Sequence, residues 1–182
     1  MSQDFPQRRS VRLKEYDYSL EGSYFVTVCT HDRKCLFGEV VGGKVELNQT
    51  GNIILEELTN LPIKYECIKL DTYIIMPNHV HLIITVGAGS SRPNGGHDNR
   101  IIIGRENLAP TRGIKNITLG MIVGYFKYQA TVKSNLLNDM GINKIWQRNY
   151  YEHIVGDEGD LSRIQEYIQN NPINWEQDEL FV

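Results

Sequence analysis

Residues 65–86 read Tyr65-Glu-Cys-Ile-Lys-Leu-Asp-Thr-Tyr-Ile-Ile-Met-Pro-Asn-His-Val-His-Leu-Ile-Ile-Thr-Val86. Two runs rich in apolar and β-branched residues, Tyr65 to Met76 and His79 to Val86, are parted only by Met76-Pro-Asn78. So short a turn joins nothing except the two arms of an antiparallel hairpin. Side chains on a strand alternate between faces, so His79 and His81 point one way while Val80, Leu82, Ile84 and Val86 point the other. The apolar face is suited to burial under helices, which leaves the polar face open to build a site.

Outward from this hairpin the pattern extends to both ends. Ser23-Tyr-Phe-Val-Thr-Val-Cys-Thr30 is dense in β-branched and aromatic residues and predicts a strand. Gly42-Gly43 predicts a hairpin turn running into Lys44-Val-Glu-Leu47. Asn48 or Thr50 caps a helix whose apolar residues Ile53, Ile54, Leu55, Leu58 and Leu61 recur at helical spacing, with Pro62 at its end. Thr118 caps a second helix, striped by Leu119, Ile122, Val123, Phe126 and Ala130 and ending before Gly141. Ile145 to Val155 predicts a final strand. Asp157 starts a third helix through Leu161, Ile164 and Ile168, which Pro172 closes. The order β-α-β-β-α-β-α predicts an α+β chain: a ferredoxin-like, split βαβ antiparallel sheet with helices on one face, plus a C-terminal helix. The 182 residues read as one domain, with a charged arm at 1–18 and a Gly-, Ser-, Asn- and Arg-rich insertion at 87–116.

Composition narrows the function classes. Hydrophobic residues make up 41% and charged residues 23%, the balance of an ordinary globular protein. No apolar run is long enough to span a bilayer, and no apolar segment follows the polar N-terminus to make a signal peptide, so a cytoplasmic location away from membranes is expected. Cys29, Cys35 and Cys67 form no CxxC pair, which argues for reduced structural thiols. The net charge of −3 speaks mildly against tight non-specific binding to nucleic acid. It is unevenly spread, however: within residues 1–14, Arg8, Arg9, Arg12 and Lys14 face only Asp4, while the chain from Asp157 onward is acidic. A basic arm on an acidic body still attracts phosphates, because the local field matters more than the total.

A histidine pair at this spacing can grip one metal ion, yet alone it is a weak sign. Two half-exposed histidines on a sheet edge is the plainer reading. Tyr167-Ile-Gln-Asn-Asn171 adds to it. Residues at i and i+4 share a helical face, so Tyr167 and Asn171 project together beside the apolar stripe. An Asn carbonyl oxygen is a hard, neutral ligand suited to Mg²⁺ or Mn²⁺. A metal held by His79, His81 and Asn171 would polarise a phosphodiester, and Tyr167 would attack phosphorus as covalent nucleophile. Tyr125 and Gln129 form a rival i, i+4 pair on the second helix, and spacing does not choose between the two. Tyr150-Tyr151 offers a third candidate without an amide partner in register.

Tyr73-Ile-Ile-Met-Pro-Asn-His-Val-His-Leu-Ile-Ile84 resembles the signature of the HUH single-tyrosine transposases, and within them is most similar to the REP-associated tyrosine transposases. The resemblance includes Arg12-Leu-Lys-Glu-Tyr-Asp-Tyr18, Gly22-Ser-Tyr-Phe-Val-Thr27, Gly124-Tyr-Phe-Lys127, Ile145-Trp-Gln-Arg-Asn-Tyr-Tyr-Glu-His153 and Tyr167-Ile-Gln-Asn-Asn-Pro172. Only residues 87–116 fall outside it. It implies that Tyr167 is the nucleophile, that Asn171 assists His79 and His81 at the metal, and that Tyr125 is not catalytic. It also implies cleavage and rejoining of single-stranded DNA beside hairpins of palindromic repeats, through a 5′-phosphotyrosine intermediate with Mg²⁺ or Mn²⁺.

Around this core the sequence offers auxiliary expectations. Arg8, Arg9, Arg12 and Lys14 are plausible phosphate contacts, and Arg148 with Trp146, Tyr150 and Tyr151 could line the strand's path. For Trp146 a place in the core is an equal reading. His97 and His31 read as loop residues and His153 as structural. The chain therefore reads as a transposase-like endonuclease and strand-transferase, a monomer or a homodimer. The alternatives are a non-catalytic module that binds single-stranded nucleic acid and a metal-dependent hydrolase without covalent catalysis.

Overall fold

The computed structural model describes residues 21–87, 117–137 and 144–181. The arm with Arg8, Arg9, Arg12 and Lys14, and the insertion from residue 88 with His97, lie outside them. In chain order the elements are β1 (Gly22–Cys29), β2 (Gly38–Val41), β3 (Lys44–Leu47), α1 (Gln49–Thr59), the single turn α2 (Leu61–Lys64), β4 (Ile68–Met76), β5 (His79–Val86), α3 (Leu119–Leu137), β6 (Tyr151–Ile154) and α4 (Glu158–Asn170). Short 3-10 turns occupy His31–Arg33 and Trp175–Gln177.

Four strands form one antiparallel sheet in the order β4-β5-β1-β6. β1 runs antiparallel to β5, which runs antiparallel to β4. β1 and β4 are thus parallel and split by β5, the ferredoxin-like arrangement that the element order predicts. β2 and β3 form a separate hairpin. Its turn residues Gly42 and Gly43 both have positive φ, which matches the twist of the two arms.

Local chemistry sets the helix starts. The Asn48 side chain accepts from the Gly51 backbone N–H and caps α1, Thr118 Oγ1 accepts from Met121 N–H at α3, and Asp157 accepts from Asp160 N–H at α4. Pro62 does not end a helix. It opens the turn α2, where a missing N–H costs nothing, and this delays β4 to Ile68.

The two faces of the sheet are covered differently. Val26, Val28, Val80, Leu82, Ile84 and Val86 pack with Ile54 and Leu58 of α1 and Ile122 and Phe126 of α3 in the main core. On the opposite face Phe25 and Ile83 pack with Ile164 and Ile168 of α4. The paired helices α1 and α3 are further tied by Lys133, which bridges Glu56 at 2.8 Å and also Glu57.

The predicted final strand is shorter than expected. Only Tyr151–Ile154 pairs with β1; before it, among the described residues, there is a single isolated bridge between Trp146 and Thr30, the residue after β1. The carbonyls that would form a longer ladder are taken by a lysine instead. Lys127 Nζ donates to the backbone oxygens of Gln147 at 2.6 Å and Asn149 at 3.3 Å. Burial lowers its pKa to about 8. Trp146 is a core residue, its indole N–H donating to the Lys127 carbonyl.

Candidate metal centre and tyrosine

The histidine face is not open. His79 and His81 stand on a central strand and are 0% and 2% exposed, because α4 and residues 175–181 cover that side. The edge-strand alternative is excluded with it. Phe25 and Ile83 already signal the cover: an apolar residue on each strand lies next to the histidines, and Ile164 and Ile168 seal against them.

That seal sets the rotation of α4. Ile164, Tyr167, Ile168 and Asn171 follow one another at i, i+3, i+4 and i+7, so the stripe that docks the helix also delivers the tyrosine and the amide. The Tyr167 oxygen lies 3.4 Å from His81 Nε2, and the phenol ring meets Phe25 edge-on. Asn171 is the C-cap of α4 and is 3% exposed. Its amide nitrogen donates to Asp178 Oδ2 at 2.7 Å, which leaves its oxygen without a hydrogen-bond partner among the described residues.

Asp178 is the residue that sequence reasoning missed. His79, His81 and Asp178 each offer a ligand atom, and these atoms lie within 4.8 Å of one another. The carboxylate is held in place by Asn171 and by the Leu180 N–H at 2.6 Å. Trp175 lies over His79 at a ring separation of 5.9 Å and is itself packed by Phe181. The only sequence signal was the acidic character of the segment after Pro172, which does not single out one aspartate.

The donor set fits a divalent cation: two imidazoles, a carboxylate and a neutral amide oxygen. Two buried polar atoms, His79 Nε2 and Asn171 Oδ1, lack hydrogen-bond partners among the described residues, and a bound ion would satisfy both. Burial lowers the His79 pKa to about 4, against the opposing pull of Asp178 and Asn171. Burial and the neighbouring His79 hold His81 well below its ordinary value. Both imidazoles are therefore neutral near pH 7, the form that binds metal. Outer contacts orient them: His81 Nδ1 lies 2.8 Å from Thr27 Oγ1, and His79 Nδ1 lies 2.8 Å from Asn78 Oδ1. Burial, then the charges of Asp178 and Glu179, push the Tyr167 phenol up to about 12.

Beside the tyrosine opens a cleft of about 950 Å³, lined among others by Thr27, His81, Tyr151, Arg163 and Tyr167. The other expected residues lie elsewhere. Tyr125 and Gln129 do form a hydrogen-bonded pair at 3.0 Å, but on α3, across the sheet from the histidines. Arg148 is exposed beside His31 and Lys144 in a different depression. Tyr150 packs against the main core. His153 binds Asp160 at 2.8 Å, and His31 pairs with Asp32. Among the described residues no helix is long and apolar enough to cross a membrane.

No family model matches the chain. A protein of Haemophilus influenzae, named only as uncharacterized, is 42% identical over 175 residues, covering 96% of this chain and 93% of its own length. Among solved structures, a REP-associated tyrosine transposase bound to a REP hairpin superposes with a TM-score of 0.56 at 19% identity, over 92% of this chain and 77% of that one. The chain belongs to one family with the Haemophilus influenzae protein, and its fold is that of the REP-associated tyrosine transposases.

Proposed function

We propose that the protein is a metal-dependent endonuclease and strand-transferase acting on single-stranded DNA at hairpin-flanked sites, with Tyr167 as nucleophile. The observation that carries this reading is the contact of the Tyr167 phenol with His81, at the mouth of a buried His79, His81, Asp178 and Asn171 donor set. The likeness to a transposase bound to a REP hairpin supports a hairpin-forming DNA partner.

His79 Nε2, His81, Asp178 and the Asn171 amide oxygen would hold Mg²⁺ or Mn²⁺. When bound, such an ion supplies a positive charge that polarises the scissile phosphate and favours the ionised phenol. Asp178 offsets one unit of that charge, so less is left to face the phosphate than a set of neutral ligands alone would leave. Tyr167 is 47% exposed, and its oxygen faces the cleft where a strand can lie. The phenol gives up its proton and its oxygen forms a bond to phosphorus. The bond from phosphorus to the 3′ oxygen breaks, and that oxygen leaves as a free hydroxyl after taking up a proton. The product is a 5′-phosphotyrosine on α4. Attack of another 3′ hydroxyl on it reverses the exchange, conserving the phosphoester energy without a nucleotide cofactor. Phe25 and Ile83 hold α4 so that the phenol does not swing away from the histidines.

The test is incubation with Mn²⁺ and single-stranded oligonucleotides carrying hairpins, followed by denaturing gels. A covalent adduct is expected in wild type and in Tyr125→Phe, and is lost in Tyr167→Phe. Cleavage without any adduct would instead favour a hydrolase, and binding without cleavage a passive module.

A further inference from the structure

Asn78 sits in the two-residue turn between β4 and β5, where asparagine is ordinarily a turn former that tolerates positive φ. That explanation does not apply. Among the described non-glycine residues, positive φ occurs only at Asp32 and Arg33. Nor does Asn78 face water as turn residues do: it is 1% exposed. Its identity is accounted for by its side chain.

Both ends of the amide are committed. The nitrogen donates to the backbone oxygens of Arg33 at 3.1 Å and Leu180 at 2.7 Å. Carbonyls only accept, so the amide cannot be turned round, and its oxygen is the atom 2.8 Å from His79 Nδ1. That oxygen also only accepts, and Nδ1 must therefore carry the proton. A neutral imidazole with its proton on Nδ1 has its lone pair on Nε2, the buried atom without a hydrogen-bond partner among the described residues. The same amide reaches the third ligand. Leu180, gripped through its carbonyl by Asn78, donates its N–H to Asp178 Oδ1 at 2.6 Å.

Building on the metal-dependent reading above, we propose that Asn78 is a positioning residue that fixes the Nδ1–H tautomer of His79 and tethers the segment bearing Asp178. Two ligands from distant parts of the chain are thereby aligned before any ion arrives. An imidazole in water favours the opposite tautomer, with its proton on Nε2, where it blocks ligation. Loss of such outer-shell partners ordinarily weakens metal affinity about 10- to 100-fold.

The experiment is a long-range ¹H–¹⁵N correlation spectrum of the metal-free protein labelled at histidine, together with Mn²⁺ titration followed by electron paramagnetic resonance. Wild type is expected to show His79 protonated at Nδ1 and bare at Nε2. Asn78→Ala is expected to lose that single tautomer and to bind Mn²⁺ about 10- to 100-fold more weakly. Asn78→Asp keeps an acceptor for Nδ1–H but loses both donations, so it should retain the tautomer and bind Mn²⁺ with an intermediate affinity. If Asn78→Ala does not fold, the wild-type spectrum and Asn78→Asp still decide the matter. A proton on Nε2 in wild type overturns the proposal, as does an Asn78→Ala protein with unchanged tautomer and unchanged Mn²⁺ affinity. A wild type with the stated tautomer that binds no Mn²⁺ overturns the metal-dependent reading and supports the tautomer assignment.

Discussion

The phenol oxygen of Tyr167 and Nε2 of His81 lie 3.4 Å apart although 86 positions separate them in the chain. Neither residue makes this contact by local geometry. It exists because Ile164 and Ile168 of α4 dock on Phe25 and Ile83 of the sheet, which presents the next residues on the stripe to the histidines.

Truncating that seal should therefore cost both stability and alignment. Ile168 is fully buried, and Ile168→Ala is expected to lower stability by about 2–5 kcal/mol, the usual range for a buried aliphatic side chain cut to alanine. Urea unfolding monitored by circular dichroism measures it. A loss below the range of exposed-site substitutions would mean that α4 does not rest on this contact.

Asp178 makes two opposite contributions, and one substitution separates them. Asp178→Asn removes a carboxylate from the donor set, so Mn²⁺ should bind at least about tenfold more weakly, in line with losses seen even for outer-shell partners. The same change removes a negative charge that raises the Tyr167 pKa, so in the metal-free protein the phenol should ionise at lower pH than about 12. Ultraviolet titration, taken as the difference from a Tyr167→Phe counterpart, reads this shift. An unchanged or raised phenol pKa would contradict the proximity on which the site depends.

The buried histidines predict an acid-labile fold in the absence of metal. Their folded pKa values, about 4 for His79 and well below 6.5 for His81, lie under the unfolded value near 6.5. Between these limits the unfolded chain binds more protons, so stability is full above about pH 6.5 and falls as pH drops toward 4. Each histidine contributes a slope approaching roughly 1.4 kcal/mol per pH unit within that window. Urea midpoints at pH 7 and pH 5 should differ, and the difference should shrink in His79→Gln. Equal midpoints at the two values would show that the imidazoles are not held neutral by burial.

Much of this architecture was legible because its signals are local. A two-residue turn forces the β4–β5 hairpin, and Asn48, Thr118 and Asp157 mark helix starts through side-chain caps. The i, i+4 relation of Tyr167 and Asn171 is likewise a property of one helix. The illegible features are those settled by distant partners. Lys127 withdraws carbonyls from the expected last strand, and nothing near Ile145 announces it. Asp178 follows Pro172 in a segment without periodicity, and only the folded chain brings it to His79 and His81. Spacing also left Tyr125 and Tyr167 equivalent. They part in three dimensions, since α3 and α4 lie on opposite faces of the sheet.

Peptide mapping reads most plainly whether DNA becomes covalently bound to one tyrosine at the metal centre. Wild-type protein is reacted with a hairpin-flanked single-stranded oligonucleotide and Mn²⁺, digested with nuclease and protease, and sequenced by mass spectrometry. A nucleotide remnant linked through a 5′ phosphate to the phenol of Tyr167 is expected, and none when EDTA replaces Mn²⁺. A remnant on Tyr125, Tyr150 or Tyr151, or an adduct at full yield in EDTA, would contradict this assignment.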